Sequence, residues 1–375
     1  MHDLSGNEFI KNRFIKLSML ALIAILLLPN VGLCQVSQTA VPFLLMSPDA
    51  YGQGMGYGGS AFSSGAVSAF YNPANLVTVN SLSAEISYTD ALPHLRDNLS
   101  YKSINLAGVI KEKWYFGAAV NYFDLGTRKI YNEIGERCGT ERVYEMAANI
   151  SGAMRINQIV SVGATIKYIR CKWDYSIEYS PDLPVASGLA FDVGICFQNL
   201  FPSLTYYSNK TYYHNFRENF RDRNSKGVNI GLSIVNLGPE LKYQVDYSIG
   251  PLPRTFRMGL GYQAVDMEQL GLRFTIDATK LIVDTDDGLK NELQEIDLAG
   301  GVEATFYYLF SLRMGRYHDE TDQEKFWTFG YSLGPEWLRF NYARVLDNDD
   351  YRTNRRANEQ TFSVYCNLPA RILNW

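Results

Sequence analysis

Between Leu82 and Leu368, fourteen stretches of about ten residues alternate apolar side chains with polar or small ones. Val160, Val162, Ala164, Ile166 and Tyr168 interleave with Ser161, Gly163, Thr165 and Lys167. Phe256, Met258, Leu260 and Tyr262 interleave with Arg257, Gly259, Gly261 and Gln263 in the same way. Successive side chains of a strand point to opposite faces, so each stretch has one greasy face and one wet face. The strands of a soluble sandwich alternate too, but they usually run about five or six residues and turn their charges to bulk water. Strands of about ten residues match the length that crosses a bilayer at a tilt.

The stretches are 82–90, 101–110, 114–123, 143–154, 159–171, 187–197, 227–236, 254–264, 269–279, 294–305, 308–317, 325–333, 337–346 and 359–368. Their number is even, as a single-chain bacterial barrel needs if both termini are to lie on one side. Connections alternate as well. Residues 111–113, 155–158, 265–268, 306–307 and 334–336 are tight. Residues 91–100, 124–142, 172–186, 237–253, 280–293, 318–324 and 347–358 are mostly longer and more polar. Short periplasmic turns and long extracellular loops are the expected asymmetry. The fold class is therefore all-β: a 14-stranded antiparallel transmembrane β-barrel at residues 81–375, with a hatch segment at 35–80.

Composition agrees. Tyrosine numbers 26 and aromatics make 14% of the chain, which suits the interfacial girdles of a barrel. Net charge is −4, so no basic surplus points to nucleic acid. Lys11, Arg13 and Lys16 precede the apolar run 17–29, with Gly32 and Cys34 as small residues beyond it, so residues 1–34 read as a signal peptide. Leu33 stands where a lipoprotein signal carries a small residue. No other run approaches the length of an apolar spanning helix. Of the remaining cysteines, Cys138 and Cys171 both lie toward one rim; a disulfide and a pair of thiols are both compatible with that placement.

Residues 35–80 are too glycine-rich for a strand and too apolar for a free linker, so they are expected inside or beneath the barrel. Asn72 suits an N-cap and Pro73 the first helical position, so a helical turn is expected there. Residues 198–226 break the short-turn rule and read as a periplasmic insertion. Residues 204–208 and 211–215 flank Asn209-Lys210 as a small hairpin. Its candidate partner-binding residues are Tyr206, Tyr207, Tyr212, Tyr213, Arg217 and Arg221, because tyrosine and arginine are enriched in interfaces. A tolerated insertion is the plainer alternative.

Inward positions include Glu85, Lys167, Asp192, Arg257, Arg273, Asp277, Asp297, Glu303, Arg313 and Arg339, while outward ones are nearly all aliphatic or aromatic. A basic residue on the lipid face costs about 2–4 kcal/mol at mid-depth, which sets this orientation. Mixed charge inside reads as a salt-bridge network anchoring the hatch; a polar path for a solute is the alternative.

Catalytic and metal motifs fail. Gly54-x-Gly56-x-x-Gly59 matches a dinucleotide fingerprint but lacks the βαβ frame. Asp284–Gly288 resembles a calcium loop but puts glycine and Leu289 where the pattern needs other residues; with the acidic stretch 347–350 it reads as a solvated loop. His94, His214 and His318 lie in no catalytic context. No enzyme activity, cofactor or metal is expected.

Phe43-Leu44-Leu45-Met46-Ser47-Pro48-Asp49-Ala50, Gly54-Met55-Gly56 and Tyr71-Asn72-Pro73-Ala74 resemble the opening of the PorV/PorQ family. That family belongs to the wider FadL-like outer-membrane barrels. Val235–Gly238, Gly250–Arg254, Phe329–Tyr331 and Asn341–Ala343 resemble it further, in the right order. The insertion 198–226 and Tyr57 depart from its pattern. The resemblance implies a 14-stranded barrel in the outer membrane of Bacteroidota-type bacteria, surrounded by lipid and acting in type IX secretion. It implies as partners the translocon, the surface-attachment (sortase) complex and the C-terminal signal domains of cargo. It also implies a hatch motif at Gly54, Gly56, Asn72, Pro73 and Ala74. A FadL-like transporter of hydrophobic small molecules is the alternative, and it calls for a continuous apolar path through the lumen.

Overall fold

The computed structural model describes residues 39–63, 65–95, 98–110, 113–132, 134–172, 185–207, 226–243, 247–282, 296–319, 324–335, 337–346 and 356–368. The expected signal segment 1–34 lies outside them. Fourteen strands form a closed antiparallel barrel. They are β1 Leu82–Asp90, β2 Ser100–Ile110, β3 Trp114–Tyr131, β4 Arg137–Arg155, β5 Val160–Lys172, β6 Val185–Leu200 and β7 Gly227–Leu237. The second half is β8 Thr255–Asp266, β9 Leu270–Leu281, β10 Ile296–Phe306, β11 Phe310–His318, β12 Lys325–Leu333, β13 Leu338–Val345 and β14 Gln360–Leu368. Each strand pairs with its neighbour in sequence, and β1 pairs with β14 from Leu82↔Leu368 to Asp90↔Gln360. Closure leaves no sheet edge in hydrocarbon, where an unpaired backbone group costs several kcal/mol.

The alternation becomes a radial sorting. Outward positions such as Ile86, Ile104, Ile150, Ile166, Phe256, Leu260, Phe340 and Phe362 are exposed. Inward positions on the same strands, among them Ser83, Glu85, Ser103, Asn149, Thr165 and Asp192, are buried. A soluble protein has the reverse arrangement. A continuous exposed apolar band is what hydrocarbon accommodates.

The structure departs from expectation at two loops. Residues 124–142 are mostly strand: β3 and β4 run on past the band and meet at a turn around Gly135. A bulge at Asp124/Thr127, with Gly126 at φ 84°, lets the ribbon change register and continue. Its polar sequence suggested a loop, but beyond the bilayer a strand has water on both faces and its polarity no longer distinguishes the two. Residues 237–253 contain a short hairpin, Leu241–Tyr243 with Tyr247–Gly250. Leu241 and Leu252 turn inward from it and are fully buried.

Residues 39–80 thread the lumen from the long-loop end to the short-turn end. Phe43 and Leu44, in a 3-10 turn at Pro42–Leu45, pack with Tyr101, Phe123, Ile169 and Leu252 near the long loops. Two short helices follow, α1 Ala50–Gly54 and α2 Ser68–Tyr71. Asp49 caps α1 by accepting from Gly52 N at 3.2 Å. The last turn, Pro73–Thr78, packs Leu76 and Val77 against Ala107, Tyr115 and Ala153 at the other end. Asn72 caps it, accepting from Ala74 N at 3.0 Å.

Candidate functional site

The wall is shaped to receive this segment. Inward glycines Gly163 on β5, Gly194 on β6, Gly231 on β7, Gly259 and Gly261 on β8, Gly301 on β10, Gly315 on β11 and Gly330 on β12 all face it. A Cβ on Gly301 would lie 2.5 Å from Met55 O, and one on Gly231 would overlap Ser60 O. Strand register sets Gly261 beside Thr275, Thr275 beside Gly301, Gly301 beside Gly315 and Gly315 beside Thr328. Small side chains thus form a row across five of the fourteen strands, and the backbone of 54–62 lies along it. Gly56 itself holds φ 71°, and a Cβ there would lie 2.7 Å from Gly300 O and 2.8 Å from Arg316 N, a place only glycine fits.

Polar contacts then lock the two together. Arg313 donates to Glu303 at 3.0 Å and lies over the Tyr51 ring at 4.5 Å. Arg273 stands 3.7 Å from Glu303, donates to Tyr51 Oη at 3.2 Å and covers Phe62. Asp277 accepts from Gly59 N at 3.0 Å and Ser60 N at 2.7 Å. Arg257 donates to Phe70 O at 3.0 Å. Asn72 Nδ2 donates to Ile195 O at 3.1 Å, across the wall, while its Oδ1 caps the turn that holds Pro73 and Ala74. Gly54 O accepts from Thr328 Oγ1 at 3.2 Å.

Lys167 and Asp192 form a separate buried pair at 2.8 Å, and Asn236 bridges them by accepting from Lys167 and donating its N–H to Asp192. Glu85 on β1 is also buried in this interior. Of the other inward residues, Asp297 accepts from Tyr317 Oη at 3.3 Å and Arg339 donates to Tyr308 O at 2.8 Å.

Sequence reasoning missed three anchors. Asp49 accepts from Tyr71 Oη at 2.7 Å, closing the segment on itself. Arg155 donates to Val77 O at 2.8 Å near the short turns. Glu359, in the loop before β14, accepts from Gln53 Nε2 and Tyr57 Oη at 2.9 Å each. Burial raises the Glu359 carboxyl above its ordinary range, and nearby Arg356 opposes the shift. Only Asp49 carried a local signal, as an acid placed just before a helical start.

The insertion is described only over its first arm. After Leu200 the chain turns through Phe201, at φ 53°, into a 3-10 turn at Pro202–Leu204. Tyr206–Tyr207 then pairs in parallel with Val265–Asp266 on β8, below the start of β7. Thr205 ties it in, donating to Gln263 O at 2.7 Å and accepting from Gly227 N. The wall is thus a ladder partner of the first arm. β8 runs past the first residue of β7, which leaves ladder positions that this strand fills. The second arm with Tyr212, Tyr213, Arg217 and Arg221 lies outside the described residues, as do the acidic stretches 284–288 and 347–350.

Cys171 pairs in register with Glu145, well along β4 from Cys138, so the ladder does not bring the two cysteines together. Among the described residues no group of histidine, cysteine or acidic side chains forms a metal cluster.

Residues 33–288 match the family model described as "Type IX secretion system protein PorV". The chain belongs to the PorV family. No curated protein matches it. Among solved structures, the P. putida toluene transporter TodX is similar at 11% identity, with a TM-score of 0.51 over 87% of this chain and 99% of that one. A Pseudomonas aeruginosa FadL homologue matches at 11% identity and a TM-score of 0.43, over 84% and 97%. The TodX likeness is one of fold, and with the family it supports an outer-membrane barrel.

Proposed function

We propose that this chain is a non-enzymatic barrel of type IX secretion in a Bacteroidota-type outer membrane. It binds the C-terminal signal domains of cargo and delivers them from the translocon to the surface-attachment complex. The observation that carries the reading is the filled lumen. Residues 39–80 occupy the bore, and their backbone lies against wall glycines on seven strands. A barrel whose interior is packed works through its rims and its outer wall. The hatch motif residues Gly54, Gly56, Asn72, Pro73 and Ala74 act here as a permanent fit between plug and wall.

The extracellular rim offers the cargo surface. The β3–β4 ribbon projects there, with Ile134 at its tip 77% exposed and Tyr131 beside it 48% exposed. The insertion 198–226 serves a periplasmic partner. Phe201 and Tyr206 are exposed at that rim, on a backbone held rigid by the β8 ladder. The transporter alternative needs a continuous apolar path, and the inward Glu303, Arg313, Asp277 and Lys167 argue against one.

Two experiments test the proposal. In cells lacking the gene, signal-bearing cargo is expected to fail to reach the surface; normal display would overturn the reading. An affinity pull-down from detergent-solubilised outer membranes is expected to recover translocon, sortase or cargo signal domains. Recovery of none, together with uptake of a hydrophobic solute by liposomes holding the protein, would favour transport.

A further inference from the structure

Outside the lumen, the wall of β2–β5 carries a basic row over an apolar hollow. Lys102 on β2, Tyr122 on β3, Met146 on β4 and Arg170 on β5 are successive cross-strand partners on the outward face. One pleat nearer mid-membrane, the partners are Ile104, Val120, Ala148 and Tyr168. Charge therefore meets hydrocarbon within a single step of about 7 Å along each strand. The charged row is cationic. Arg142 and Lys102 share the carboxylate of Asp124, which is 6% exposed, while their own side chains are 61% and 46% exposed. Arg170 is exposed and makes no ion pair among the described residues. Even with Asp90 at the end of β1, positive charge is in excess.

Directly beneath this row the outer wall is concave. Ala118 and Ala148 floor a groove of about 440 Å³, and Ile104, Val120, Ile150 and Tyr168 rise around it. Its lining is apolar, and it opens sideways into the membrane. Interfacial lysine and arginine alone are ordinary snorkelling residues. A groove set under them adds a place for a chain attached to the anion they hold.

We propose that the outer wall of β2–β5 is a binding site for a phosphorylated lipid of the outer leaflet. One acyl chain lies in the Ala118–Ala148 groove, and headgroup phosphates meet Lys102, Arg142 and Arg170. Lys102 and Arg170 are three inter-strand spacings apart, about 14 Å, within reach of one bisphosphorylated disaccharide headgroup. Arginine suits phosphate through its planar fork, and the long stems of both residues cover apolar wall below. This site is independent of the cargo reading, since it uses no rim loop and no lumen residue.

The test uses the full mature chain in a neutral detergent, with bisphosphorylated lipid A as probe and native mass spectrometry as readout. The expected result is retention of bisphosphorylated lipid A and much weaker retention of its dephosphorylated form. K102Q/R170Q is expected to weaken retention about 25-fold, about fivefold for each cation. A148F, which fills the groove, is expected to weaken it with every charge intact. All three substituted side chains face outward, and an unchanged heat-modifiable gel mobility checks that each variant folds. Equal retention of the two lipid forms, or an unaffected double variant, would overturn the proposal. An unaffected A148F would leave only an anion site and overturn the lipid. So would an A148F variant that keeps its lipid but loses a membrane-protein partner in pull-down.

Discussion

Arg313 shows how the interior is held at single residues. Its guanidinium is 1% exposed and pairs with Glu303, which also receives Arg273 and Tyr51. Removing one partner of a buried pair leaves the other charged and unmatched, so Arg313→Met is expected to cost about 3–5 kcal/mol. Urea unfolding in micelles reads this loss. The double variant R313M/E303L is expected to recover most of it, and a double variant as unstable as the single one would contradict the pairing. Glu359 gives a pH signature. Burial raises its carboxyl above the ordinary value, so the folded barrel holds the proton more tightly than the unfolded chain does. Its contribution is complete below the ordinary carboxylate range and is lost as pH rises through the raised value. The urea midpoint is expected to fall as pH rises above the ordinary carboxylate range, and to fall less in Glu359→Gln, which keeps an acceptor for Gln53 and Tyr57. Equal slopes would place the charge elsewhere.

At the scale of elements, the threaded segment and the strands depend on each other. Without 39–80, Asp277 loses the amide donors of Gly59 and Ser60, and Arg257 loses the Phe70 carbonyl. The row of wall glycines would then line a void, and buried polar groups left unmatched cost about 1–3 kcal/mol each. A chain lacking residues 39–80 is therefore expected not to reach a heat-resistant compact form on gels; normal compaction would show the plug to be an accessory. The strands carry the opposite constraint outward. Leu260 on β8 is 42% exposed, with Ile230 and Ile276 as cross-strand partners. Leu260→Arg is expected to cost about 2–4 kcal/mol in unfolding from lipid vesicles. The same charge is tolerated at Arg257, three residues away, because that position points inward.

For the whole molecule the governing fact is closure without a bore. Strand pairing runs unbroken from β1 round to β14, and the lumen holds a packed segment tied to both halves of the wall. In planar bilayers the purified protein is expected to show no stepwise ion conductance. Regular channel steps would mean that the segment leaves the lumen, and would revive the transport reading. With the interior filled, the rims and the outer wall are the surfaces left for contacts. Those are the surfaces on which the secretion role and the lipid site are proposed.

The alternating pattern by itself determined the strand number, their order and which side chains face away from the lumen. These are local or one-dimensional properties: a pleat has period two, and a bilayer has one thickness. It also picked out Arg313, Glu303 and Asp277 as inward residues, because charge is expelled from hydrocarbon. Which inward residues meet was settled only by closure. Glu359 reaches Gln53 and Tyr57 across some three hundred positions of sequence, and the row from Gly261 to Thr328 exists only once five strands are in register. Tyr206–Tyr207 found β8 because β7 begins late, and Lys102 and Arg170 stand over one groove because only two strands separate them. Periodicity assigns each side chain a face; tertiary register alone assigns it a neighbour.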